Sequence, residues 1–318
     1  MKIVMKASFG LATLCTLMAP AAFAASTASA GQGETVMIRT EDLSTIEVVG
    51  ERPLSAREIK DGVRDIFQRR MPFDPIPRFH DDLCLHVAGL GDTIGDEVAN
   101  RIRANAEDAG LGLAKPGCTA NALVLVVDRP ARLVERLREE KPQMFSVATS
   151  RQINAQLGTN RPVITWSAFG LRNSVGGAML PGVALPGGQA FSPLAGFEFP
   201  ITDAYSPTRI TNPFSRSKQL SVVIFDVRKL DDVHLVQLAD YATVHLLATP
   251  RADIAETADD VPTILNLFAH GPRNAPAELT ALDRAYLKGL YTMEPNAWSS
   301  RLGGFALAAY QGRETARE

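Results

Sequence analysis

The sequence predicts an α/β fold, with α+β as the alternative, built on a mixed sheet and closed by a mostly helical C-terminal part. Two observations carry this. The segment Leu83–Glu140 reads strand, helix, strand, helix in close succession, which favours a parallel crossover. Its second strand, Leu123-Val124-Leu125-Val126-Val127, is continuously apolar, as expected where both sheet faces are covered. With 46% apolar residues in 318, the chain has enough material for one or two packed domains.

The first thirty residues read as an export address. Lys2 and Lys6 precede an uncharged apolar run from Phe9 to Phe23. Ala22-Phe23-Ala24 and Ala28-Ser29-Ala30 both fit a small-x-small cleavage site. The run is shorter than the roughly 18–20 residues needed to span a bilayer. The expectation is a signal peptide over 1–24, with cleavage as late as 30, and a periplasmic or secreted mature chain with no transmembrane segment. Cleavage at 24 leaves 31 basic against 35 acidic residues, a charge of −4, so nothing general attracts nucleic acid or anionic membrane.

Residues 25–45 are small and polar and read as a flexible leader. A single domain is expected over 46–312, opening with a short strand at Ile46–Val49. Ser55–Arg69 has helical spacing at Ile59, Val63, Ile66 and Phe67, and Pro72, Pro75 and Pro77 then force an extended connection. Leu83–Ala88 is the first strand of the crossover. Asp92 or Thr93 caps the helix marked by Ile94, Val98, Ile102 and Ala106, which runs to Gly110. The second strand is followed by a helix over Ala131–Glu140, with Leu133, Val134 and Leu137 inward.

Val163–Trp166 reads as a third strand. Residues 176–213 hold six Gly and six Pro in 38 positions and read as an irregular insertion or hairpin arm. Leu220–Val227 returns to strand. Asp231 or Asp232 caps a helix over Val233–Ala248, with Leu235, Leu238, Ala239, Ala242 and Leu246 as its apolar stripe. Pro262–Phe268 is a short helix, and Thr280 with Asp283 makes a capping box for a helix burying Leu282, Tyr286, Leu287 and Leu290. Residues 313–318 read as a polar tail.

The topology also speaks to the cysteines. Removing the leader removes Cys15. Cys84 then sits at the entry to one strand and Cys118 just before its parallel neighbour, so the two fall at one sheet edge. A disulfide is the expectation in an oxidising compartment. It closes a 34-residue loop and contributes about 3–4 kcal/mol on a chain-entropy estimate.

Catalytic motifs are less generous. No His-Glu pair occurs, so the zinc-protease helix motif is missing. His234 and His245, eleven residues apart on one helix, stand about 16 Å apart and cannot share a metal. No Gly-x-Ser-x-Gly elbow is present, and Ser174 has no local partner. Gly89-x-Gly91-x-x-x-Gly95 lies between strand and helix like a dinucleotide turn, but its spacing is wrong. The acid ending the next strand, Asp128, lies 39 positions beyond Gly89 rather than near 20. Arg69-Arg70 is an ordinary helix-end pair, and Trp166 and Trp298 read as packing residues. One cluster of proton-handling groups stands out: His234, Gln237, Tyr241 and His245 form one polar stripe on the Val233–Ala248 helix, with Asp240 beside it.

Several runs resemble a set of exported bacterial proteins to which no activity is attached. These are Cys84-x-x-Val87-Ala88-Gly89-Leu90, Arg101-Ile102-Arg103, Gly117-Cys118, Asn121–Val124, Gln237–Ala242 and Leu279-Thr280-x-x-Asp283-Arg284-Ala285-Tyr286-Leu287. The resemblance implies an exported domain with these helices and the cysteine pair, and no more. The order of sheet, long helix and helical C-terminal part is loosely similar to zinc-protease-type folds without their metal motif. Ile46–Arg52 resembles the leader before plug domains of outer-membrane receptors, with no barrel following.

The reading that follows is a non-catalytic exported protein that binds an unknown protein or envelope component, with no cofactor. The alternatives are a hydrolase assembled from separate segments near 233–248 and, more weakly, a nucleotide-binding domain.

Overall fold

A computed structural model describes residues 52–67, 72–159, 161–178, 212–251 and 261–317. The expected signal peptide, the flexible leader, the Ile46–Val49 strand, the Arg69-Arg70 pair and most of the Gly/Pro-rich insertion lie outside them. The described chain forms an α/β fold on a four-stranded mixed sheet in the order β1-β2-β4-β3.

Helix α1 (Ala56–Ile66) opens on a capping box in which Ser55 and Glu58 satisfy one another's backbone N–H groups. Strand β1 (Leu85–Ala88), helix α2 (Asp92–Ala109) and strand β2 (Ala122–Val127) make the expected parallel crossover, Leu85 pairing with Ala122. Helix α2 begins at Asp92 with Gly91 at its N-cap, so neither Asp92 nor Thr93 caps it. It ends on Gly110, whose φ of 101° suits a residue without Cβ. Cys84 and Cys118 have their sulfurs within bonding distance and their Cα atoms 6.0 Å apart, as a disulfide requires. The parallel register accounts for this, since both residues enter the sheet at the same edge.

Helix α3 (Pro130–Glu140) follows β2, and α4 (Val147–Gly158) then leads into β3 (Val163–Asn173). No expectation covered α4. Strands β3 and β4 (Phe214–Asp226) are much longer than read from sequence and pair antiparallel along their whole length, from Val163 opposite Phe225 to Asn173 opposite Phe214. The segment expected as an insertion therefore lies between the two strands of one long antiparallel pair. Strand β4 also runs parallel to β2.

Alternation along β2 and β4 divides the core. Val124, Val126, Val223 and Phe225 face a large cluster built with α1, α2, α5 (Leu235–Leu247), α7 (Ala281–Thr292) and α8 (Leu302–Arg317). Val222 and Ile224 face a smaller one with Val134 of α3, Ile153 of α4 and Trp166, which stacks on Phe145. Trp298 instead meets Phe73 edge to face, at 5.0 Å. The expected short helix at 262–268 is a 3-10 turn at Ile264–Asn266 running into α6 (Leu267–His270), capped by Thr263. The Thr280–Asp283 capping box is present. Residues 313–317 are the last turns of α8, so the polar tail is helical: Arg313 pairs with Asp108, and the preceding turns pack on α7. No described helix is long and apolar enough to cross a membrane.

Two buried cations tie the layers together. Arg78 pairs with β4 through backbone bonds to Arg216 and Lys218. Its guanidinium donates to the Leu290 and Met293 carbonyls (2.6 Å for Met293) where α7 ends. Lys218 donates to the carbonyls of His245 (3.1 Å), Leu246 (2.6 Å) and Ala248 where α5 ends. Each cation meets the negative end of a helix.

Candidate functional site

The polar stripe on α5 separates into a structural half and an open half. His234 is the N-cap, replacing the expected Asp231 or Asp232. The Gln237 side-chain oxygen accepts from the His234 N–H (3.2 Å), while its amide donates to the Pro272 (2.8 Å) and Pro276 (3.0 Å) carbonyls. Asp232 instead sits in the preceding turn at φ 63° and pairs with Arg273. Asp240 is fully buried. It accepts from Arg101 Nε and Nη2, each at 2.8 Å, from Asn105 Nδ2 at 2.7 Å and from the Leu279 N–H at 2.7 Å. Four bonds fill the capacity of a carboxylate, so Gln237 and Asp240 hold the fold together.

Tyr241 and His245 point elsewhere. Their rings lie 4.7 Å apart and line a cavity of about 260 Å³ between α5, the entry to β3, α4 and α6. Val163, Leu265 and Phe268 supply apolar wall, with the Phe268 ring edge-on to Tyr241 at 5.0 Å. Gln152, Gln156, Thr165, Arg161 and Arg251 supply polar wall. Gln156 treats the outer edge of β3 as a neighbouring strand would. Its amide oxygen accepts from the Thr165 N–H and its nitrogen donates to the Thr165 carbonyl, both at 2.8 Å.

The His245 Nε2 atom is buried without a hydrogen-bond partner. Burial, with Lys218 nearby, holds the imidazole down to about 3, so the ring is neutral across the physiological range. Burial likewise pushes the Tyr241 phenol above its ordinary value. The cavity lining thus combines a neutral imidazole and aromatic rings with Arg161 and Arg251.

Comparison with protein-family models, curated proteins and solved structures finds no match. The loose likeness to zinc proteases gains nothing from it. Among the described residues no group of three or more His, Cys, Asp or Glu is placed to hold a metal. Of the three dinucleotide-like glycines, Gly89 has a packing reason, while a Cβ on Gly91 would meet nothing within 4 Å. Gly89 has a φ of 90°, and a Cβ there would fall 1.9 Å from the Val126 carbonyl oxygen of β2. A separate groove of about 1230 Å³, open to solvent, lies between α1 and the start of α8, away from these groups.

Sequence reasoning found the α5 face but could not divide it. The partners of Gln237 and Asp240 come from segments far along the chain, whereas the wall residues Gln152 and Gln156 lie on α4, which carried no clear signal.

Proposed function

We propose that the chain is an exported, non-catalytic binding protein of the cell envelope, and that the Tyr241–His245 cavity takes a small ring-bearing ligand with one hydrogen-bonding group. The observation that carries this is the buried, unpartnered Nε2 of His245 in an aromatic-walled cavity. An unmet polar atom in such a place is costly unless something satisfies it. The basic-apolar-small leader supports export, as does a cysteine pair at bonding distance.

The hydrolase alternative fares less well at this site. A general base works best with a pKa near the working pH, and an imidazole held near 3 is far from it. No carboxylate is among the described residues lining the cavity.

The test has two arms. Full-length chain expressed in a Gram-negative host should appear in the periplasm with an N-terminus beginning after residue 24 or 30. The mature protein should bind indole, followed by ligand-observed NMR, and His245→Leu and Tyr241→Ala should each abolish that signal without unfolding the chain. Retention of the intact leader in the cytosol would overturn the export half. Indole binding unaffected by either variant, or ester hydrolysis lost in His245→Gln, would overturn the binding half.

A further inference from the structure

The three parallel strands β1, β2 and β4 end at one edge of the sheet, where β3 begins. From β2 the chain passes to the face carrying α3. From β4 it passes to the opposite face, carrying α5. Connections that diverge this way leave a crevice between the strand ends, the usual place for a ligand in an open α/β sheet.

Here the crevice is a cavity of about 250 Å³, and four arginines line it: Arg129, Arg132, Arg161 and Arg228. They arrive from three separate connections, so their convergence is a product of the fold. Two carboxylates offset them in part. Asp226, 3% exposed, is held by Arg228 at 2.9 and 2.7 Å, and Asp128 pairs with Arg129 at 3.1 Å. Arg132 makes no hydrogen bond or ion pair with any described residue.

The local sequence breaks an ordinary rule. The first turn of α3 has no acidic residue and no side-chain cap. Arginine occupies both its N-cap and its third position, so positive charge sits at the positive end of the helix. Such an arrangement costs stability unless an anion is present, and departures of this kind gather at functional sites.

We propose that this crevice binds the phosphate group of a small soluble ligand, either inorganic phosphate or a phosphate monoester. Guanidinium forks from several directions suit a tetrahedral, doubly charged group with several acceptor oxygens better than a planar carboxylate. The site is separate from the Tyr241–His245 cavity, although Gln156 and Arg161 contribute to the walls of both.

The mature, full-length protein is titrated with inorganic phosphate and, in a second arm, with glycerol 1-phosphate. Chloride holds the ionic strength constant, and calorimetry and thermal melting are the readouts. Saturable binding and a raised melting temperature are expected in at least one arm, with the tighter arm identifying the ligand as free phosphate or ester. Arg132→Gln, an exposed change, should leave the ligand-free melt the same or slightly raised, since it removes a cation from the positive end of α3, and weaken binding about tenfold or more. Arg129→Gln/Arg132→Gln should abolish it, while His245→Leu should leave it intact. No binding beyond matched chloride in either arm, or unchanged affinity in Arg132→Gln, would overturn the proposal.

Discussion

Arg101 and Asp240 meet in a two-pronged ion pair at 2.8 Å, joining the middle of α2 to the middle of α5. Asp240 is fully buried and Arg101 about one-third exposed, so the pair has a dry end and a wet end. Arg101 extends from there to Glu278, and the Leu279 N–H closes the Asp240 side. Removing one partner of such a pair strands the other's charge or hydrogen-bonding groups. Arg101→Met should therefore cost about 3–5 kcal/mol, and Asp240→Leu at least as much. Urea unfolding followed by circular dichroism reads both, and a loss under 1 kcal/mol for either would show that the network is incidental.

The sulfur pair gives a second expectation. Cys84→Ala/Cys118→Ala should lose about 3–4 kcal/mol on the loop-entropy estimate. Reductant should destabilise the parent by a similar amount and leave the double variant unchanged. Thiol titration of unfolded, unreduced mature protein should find no free cysteine.

Acid should weaken the fold before its carboxylates titrate. Burial holds His245 down to about 3. Burial, with Arg78 and Arg172 nearby, holds His80 down to about 4, against an ordinary imidazole value of 6.5. The unfolded chain takes up protons below 6.5 while the folded rings stay neutral. Stability is full above 6.5 and falls as the pH drops toward 4 and then 3. His245→Gln should flatten that slope over the whole window, and a variant at both histidines should flatten it further. Unfolding free energies at half-unit pH steps give the comparison.

Gly89 supplies a fourth expectation. Its positive φ and the nearby Val126 carbonyl leave no room for a methyl group. Gly89→Ala should lower stability by about 1–3 kcal/mol. Gly91→Ala, with nothing within 4 Å of the added carbon, should cost far less. Equal effects would return the turn to the reading in which its glycines make room for a ligand.

These residues also show what a sequence can carry. The crossover was legible because β1, α2 and β2 follow one another with unmistakable apolar periods, and the cysteine pairing followed from that topology. Thr280 and Asp283 were legible because a capping box is local. Helix α4 was not, since it lacks a strong apolar stripe. The full lengths of β3 and β4 were hidden because Phe169 and Leu171 stay partly exposed and Ser215, Ser217 and Lys218 are buried, reversing the usual pattern. The α5 face was visible as chemistry but not as roles. Nothing near Asp240 in sequence announces Arg101, Asn105 or Leu279, and nothing near Arg132 announces Arg161 or Arg228.

Arg78 sits early in the chain, yet the carbonyl oxygens that receive its guanidinium belong to Leu290 and Met293. The same stretch is stitched to later residues through the Asp74 and Pro72 carbonyls, which accept from Ser299 and Ser300. A chain ending before these positions would lack the carbonyls that receive the Arg78 guanidinium, so burying that group would leave it without acceptors. The described fold thus cannot close piecemeal from its N-terminal side; its interior closes only when the last quarter of the chain has arrived.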